Sequence, residues 1–167
     1  FPDATYTEAH GINDRGQVVG EYGDTAGAVH GFRWEQGRFT SIDVPGSSCT
    51  SASGINDEAQ VVGVRTGPCD SPQIPADGFL LSGGAFATFD VAGGPVTDAR
   101  GINDQGMVVG GTYSDLVNFV GAHGFLLADG VQGPVTPVDV PGAPRTLALG
   151  INDRGQVVGA YENPASP

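Results

Sequence analysis

Gly11-Ile12-Asn13-Asp14 runs on through Arg15-Gly16-Gln17 into Val18-Val19-Gly20, and the run returns at Gly54-Ile55-Asn56-Asp57, Gly101-Ile102-Asn103-Asp104 and Gly150-Ile151-Asn152-Asp153. Each later copy also ends in V-V-G, at Val61-Val62-Gly63, Val108-Val109-Gly110 and Val157-Val158-Gly159. The register extends upstream. Thr7, Thr50, Thr97 and Thr146, and likewise Ala9, Ala52, Ala99 and Ala148, keep a fixed distance from the Gly of their copy, and Phe1, Val44, Val91 and Val140 each stand ten residues before it. Two shorter marks alternate with the long run: x-G-F at His30-Gly31-Phe32, Asp77-Gly78-Phe79 and His123-Gly124-Phe125, and D-V at Asp43-Val44, Asp90-Val91 and Asp139-Val140. Four first halves face three second halves, the mark of a stacked repeat of supersecondary units beginning near residues 11, 54, 101 and 150.

Each unit reads as four antiparallel strands, a to d. In T-x-A-x-G-I-N the small residues alternate with the period of two that belongs to a β-strand, and their size implies that another sheet packs closely against them. The V-V-G run is strand b. The N-D-R-G, N-D-E-A and N-D-Q-G segments are hairpin turns, because Asn and Asp tolerate left-handed backbone and Gly supplies a positive φ. Strand c opens at x-G-F, and strand d covers Phe39 to Val44, Ala85 to Val91 and Val135 to Val140. From V-V-G to x-G-F the separations are 10, 14 and 13 residues, whereas the a–b and d–a connections keep one length. Variation therefore gathers in the b–c loops, Glu21–Val29, Val64–Ala76 and Gly111–Ala122, and loops held on a rigid scaffold are where binding usually resides.

The 167 residues fit one domain, 1–167, and carry a net charge of −12 from nineteen carboxylates and seven basic groups, all of them Arg. That balance repels nucleic acid, and the absence of Lys excludes Schiff-base chemistry on a lysine. No apolar run approaches the ~20 residues that span a bilayer. Cys49 and Cys69 are the only cysteines, and an even count in an acidic, Gly-rich chain suits an oxidising, extracellular compartment, with the two sulfurs paired across the a–b hairpin of the second unit.

The G-I-N-x-x-G-x-V-V-G half followed by a short H-G-F half resembles the HAF repeat of extracellular bacterial proteins, and the resemblance covers essentially the whole chain. It implies export and a propeller-like all-β fold, and it implies no activity. The chain departs from the pattern by Gly in place of Ala in the second motif and by Asp77 in place of His in one copy.

The expected fold is all-β, with about three and a half β-propeller-like blades; the alternative is a β-trefoil-like threefold arrangement, which would leave the fourth hairpin surplus. An unclosed array presents sticky faces, so the chain either belongs to a longer one or associates head-to-tail into rings or filaments. Thr7 on the first unit and Leu147, Leu149, Ile151 and Val157 on the last hairpin are the residues expected to carry that self-association. No G-x-S-x-G, H-E-x-x-H or Cys–His arrangement is present, so no catalytic residue is assigned and the chain is read as no enzyme. His30, His123 and Asp77 read as polar residues opening strand c. The Asp rows, Asp14, Asp57, Asp104 and Asp153 in the turns and Asp43, Asp90 and Asp139 at the strand ends, read as caps, with Ca²⁺ the one cofactor such carboxylates would take. Trp34, Tyr22, Tyr113, Phe119 and Tyr161 read as packing residues on or near the loops. The function expected is a self-associating extracellular scaffold; the alternative is a module binding a glycan or surface polymer through the b–c loops.

Overall fold

The computed structural model describes residues 1–67, 69, 75–114 and 119–163, and in them the chain is all-β, with no helix. Three groups of four strands follow one another: β1 (Tyr6–Ile12), β2 (Val18–Gly23), β3 (Val29–Glu35) and β4 (Arg38–Ile42); β5 (Cys49–Ile55), β6 (Val61–Thr66), β7 (Ala76–Ser82) and β8 (Ala85–Phe89); β9 (Val96–Ile102), β10 (Val108–Tyr113), β11 (His123–Leu127) and β12 (Val135–Pro137). A hairpin of β13 (Thr146–Ile151) and β14 (Val157–Tyr161) completes the order. Within each group every neighbour pairs antiparallel with the next in sequence. The groups meet through single parallel bridges, Val29 to Cys49 and Ala76 to Val96, so ten strands form an open path, β4 and β8 branch from β3 and β7, and β13–β14 is a separate pair.

The turns follow from their residues. In the first a–b turn the Gly16 amide donates to the Asn13 carbonyl, and Gly16 has φ of 73°, a left-handed conformation. The two-residue c–d turns place Gln36 and Gly37, then Gly83 and Gly84, at positive φ, which suits the right-handed twist of a hairpin. Each d–a connection is tied by the repeated threonine: Val44, Val91 and Val140 donate their amides to the hydroxyls of Thr50, Thr97 and Thr146 at 3.1, 2.8 and 3.1 Å. The D-V marks lie just beyond strand d rather than within it, and β12 is cut to three residues. Its Pro137 has no N–H to continue a ladder. The third c–d connection, 128–134, is also much longer than the other two, so length variation is not confined to the b–c loops.

The core lies between groups. Consecutive residues of a strand point to opposite faces, and the two valines of V-V-G divide accordingly. Val61 packs with Val19, Ile42 and Val44 of the first group, while Val62 packs with Ala99, Ile102 and Phe125 of the third. The a-strand glycines touch where the groups press together. A Cβ on Gly54 would lie 3.0 Å from the Arg100 carbonyl oxygen and 3.1 Å from the Gly101 Cα, and one on Gly101 would lie 3.1 Å from the Gly150 Cα. At such a backbone-to-backbone seam a Cβ is accommodated only if the facing backbone yields by a few tenths of an ångström. The close packing expected from the small residues of strand a is therefore realised at Gly.

Candidate functional site

The four I-N-D turns converge at one end of the molecule around a shallow polar depression. Each Asn first closes its own turn: the Asn56 Oδ1 accepts the Gln60 amide at 2.9 Å, and its Nδ2 donates to Gln60 Oε1 at 2.7 Å. The same Nδ2 then crosses to the next unit. Asn13 donates to the Asn56 carbonyl at 2.9 Å, Asn56 to the Asn103 carbonyl at 3.0 Å and Asn103 to the Asn152 carbonyl at 3.0 Å. A second rung runs the other way in charge. The amides of Asp14, Asp57 and Asp104 donate to the carboxylates of Asp57, Asp104 and Asp153 at 2.8–2.9 Å. In the third turn Met107 replaces the Gln, and Gln105 takes over as the acceptor of Asn103 Nδ2 at 2.9 Å.

This ladder has a direction. Its first member, Asn13, offers a backbone carbonyl, and Asp14 offers a carboxylate; the side chain of its last, Asn152, meets only Gln156 and Arg154 of its own turn among the described residues. The apolar seam has the same polarity. Ile55 and Ile102 are 6% and 7% exposed because each presses on the preceding group, whereas the equivalent Ile12 is 69% exposed. Val19, Val62 and Val109 are fully buried against the following group, whereas the equivalent Val158 is 67% exposed. The first group also presents a groove formed by Thr7, Ala9, Val18, Phe32, Trp34 and Phe39. The molecule thus carries two open half-seams, one of each kind.

Of the residues assigned to self-association from sequence, Thr7 lies in that groove, with its hydroxyl accepting from the Phe1 amino group at 2.6 Å. Leu149 is exposed, Ile151 and Val157 are half-buried, and Leu147 is half-buried against Tyr113, Val96 and Ala122 of the third group. Ile12 and Val158 are the most exposed of the large apolar residues that recur inside the seams. Ile12 was not singled out in the sequence, although its signal was available in the fourfold recurrence of I-N-D.

At the opposite end the strand-c openings meet the d–a connections. His30 Nδ1 lies 2.7 Å from Asp43 Oδ1, and Nε2 lies 3.3 Å from Asp24 Oδ2. Burial pushes the His30 imidazole down, but the hydrogen bonds and charges of Asp43 and Asp24 outweigh it and hold its pKa above the usual value. Asp24 is lowered, chiefly by the Ala28 amide, with His30 adding to it. His123 makes the matching contact with Asp139 at 3.1 Å. In the middle group Asp77 pairs instead with Arg65, and Asp90 accepts from the Thr97 hydroxyl at 2.9 Å. The His30–Asp43 and His123–Asp139 contacts clamp strand c to the end of strand d, the Arg65–Asp77 pair joins strands b and c, and the Thr97–Asp90 bond joins strand d to the next strand a. One buried group stands apart: Asp98, raised by burial, accepts from the Tyr113 hydroxyl at 2.5 Å and from Arg100 at 2.6–2.7 Å, which satisfies its carboxylate inside the third group.

Cys49 and Cys69 form a disulfide, with their Cα atoms 5.3 Å apart, joining the start of β5 to the chain beyond β6. The b–c loops Val64–Ala76 and Gly111–Ala122 fall partly outside the described residues. Tyr113 is fully buried, Trp34 half-buried and Tyr161 exposed, and Phe119 meets Tyr113 edge-on at 5.0 Å.

The fold and its seams define an all-β protein of stacked four-stranded antiparallel groups, disulfide-bonded as suits an oxidising compartment. No helix among the described residues is long and apolar enough to cross a membrane. No protein-family model matches the chain, and no curated protein matches it.

Proposed function

We propose that this is a non-catalytic extracellular scaffold of the HAF-repeat kind, whose propeller-like units stack on from one copy of the chain to the next. The observation that carries the reading is the pair of half-seams: Ile12 and Val158 lie open where their internal equivalents are buried. A second copy brings the complementary half of an interface that the chain already builds three times over. Ile12 of one copy then packs as Ile55 packs on the first group. The ladder continues from Asn152 Nδ2 to the Asn13 carbonyl and from the Asp153 amide to the Asp14 carboxylate. Each large apolar side chain buried in this way contributes about 1.5–3 kcal/mol when covered completely. The pairing is heterologous, so it generates a ring if the rotation closes and a filament if it does not.

Sedimentation velocity and electron microscopy test the reading. Oligomers growing with concentration are expected, and either Ile12→Asp or Val158→Asp should disperse them without unfolding the chain. A monomer at high concentration with β13–β14 folded overturns it. A second reading, a binding module for a glycan or surface polymer, has in its favour that the b–c loops and d–a connections meet at one end, where His30 bridges Asp24 and Asp43. Glycan-array binding by a dispersed variant separates the two.

A further inference from the structure

The seam between the first and second groups is apolar within and polar at its outer side. Val19, Arg33 and Thr40 stand side by side across β2, β3 and β4, Val19 opposite Arg33 and Arg33 opposite Thr40. Residues opposite one another in a ladder share a face. Val19 packs in one cluster with Ile55, Val61 and Phe79 of the second group, so the Arg33 side chain also leaves β3 on that side. There it borders a cleft of about 310 Å³, with Ile42 and Leu81 as apolar walls and the Gly83–Gly84 turn at its edge.

Two observations mark the cleft as a site. Arg33 is half-buried, and its guanidinium has no hydrogen bond or ion pair with any described residue, whereas the other half-buried arginines, Arg65, Arg100 and Arg145, pair with Asp77, Asp98 and Glu162. A cation held partly out of water beside apolar walls lacks compensation for its lost hydration. The second observation is that the next seam uses the same positions and is filled. Leu80 stands opposite Val62 and Ala87 as Arg33 stands opposite Val19 and Thr40, and it packs on the core together with Val131 of the 128–134 connection. In the first seam an arginine replaces that leucine and a two-residue turn replaces that connection. The repeat has opened space there and set a cation beside it.

We propose that this cleft binds a small monocarboxylate with a compact apolar body. The guanidinium presents a planar fork that matches a carboxylate through two parallel hydrogen bonds, and the Thr40 hydroxyl lies beside it as a further donor. Ile42 and Leu81 take the apolar part. The volume stands at the lower end of the roughly 300–1,000 Å³ of small-molecule pockets, which suits a ligand the size of benzoate. A single negative charge is favoured over a dianion such as phosphate, because Glu58 also borders the cleft and the chain carries −12 overall. The cleft lies inside one chain, so its occupancy is independent of contacts between copies.

Benzoate is the probe, measured by equilibrium dialysis against the full chain at neutral pH. Saturable binding at one site per chain is expected, with the urea midpoint rising as benzoate is added. Benzamide keeps the shape without the charge and should bind at least about tenfold more weakly. Arg33→Leu installs the residue that the second and third groups carry at Leu80 and Leu126, so it should fold normally by far-UV circular dichroism. Its affinity for benzoate should fall at least about tenfold, and benzoate should no longer move its midpoint. No saturable binding by the parent chain, equal binding by Arg33→Leu, equal binding of benzamide, or competition by inorganic phosphate as effective as by benzoate itself overturns the proposal.

Discussion

Ala59 occupies, in the second a–b turn, the position held by Gly16, Gly106 and Gly155 in the other three, and it does so at φ of 58°. An L-residue in that conformation is strained by contact between its Cβ and the following carbonyl. Ala59→Gly relieves the contact while adding unfolded-state entropy, and the net effect expected is a gain of about 0.5–1 kcal/mol, read as a higher urea midpoint with an unchanged slope. Asn56 shows the opposite dependence. It is buried and serves the Gln60 amide, the Gln60 side chain and the Asn103 carbonyl together. Asn56→Ala leaves those groups without partners away from water and should cost roughly 2–4 kcal/mol, whereas Asn152→Ala, at the exposed end of the ladder, should cost about 1 kcal/mol or less. Equal losses from the two variants in equilibrium denaturation would show that the crossings between units contribute nothing.

At the scale of the element, hairpins are secured at their open ends. The Cys49–Cys69 disulfide closes a segment with a sequence separation of 20 around β5 and β6. In the chain-entropy account a loop of that size is worth roughly 3 kcal/mol. Thermal unfolding with and without reductant should differ by about that amount, and the second group should be the part that loosens. The His30 clamp adds a pH dependence of definite sign. A histidine whose pKa is raised in the folded state contributes stability below its ordinary pKa and loses it as pH rises through the folded value, while the lowered Asp24 contributes above the ordinary carboxylate range and loses it on acidification. The clamp is therefore complete between roughly pH 4 and pH 6.5. Raising the pH from 6 to 8 should reduce stability slightly in the parent chain and less in His30→Gln, compared by chemical denaturation at each pH.

For the whole molecule, charge opposes what the seams favour. Each copy carries a net charge of −12, so copies approaching end to end repel one another. Raising ionic strength from about 0.01 to 0.15 M shortens the screening length from about 30 to about 8 Å. Association should therefore strengthen with salt, and light scattering across that range is the direct measurement. Assembly that weakens with salt would mean that ion pairs, rather than the Ile12 and Val158 surfaces, hold copies together.

The sequence by itself determined the all-β character, the four-strand content of each unit, the positions of the hairpin turns and the candidate cysteine pair. Period-two alternation, Asn-Asp-Gly turn chemistry and β-branched runs all act between neighbours in the chain, so they can be read locally. Tertiary structure alone decided what the recurring residues do. Asn13, Asn56 and Asn103 read as turn formers, yet each also bridges to a turn 43, 47 or 49 residues away. The glycines of G-I-N-D read as strand residues that invite close packing, and the structure made them the points where one group's backbone touches the next. The direction of the ladder and the division of each Val-Val pair between two seams depend on how one unit stacks on another. Such contacts join residues distant in the chain, and their geometry exists only once the sheets have packed.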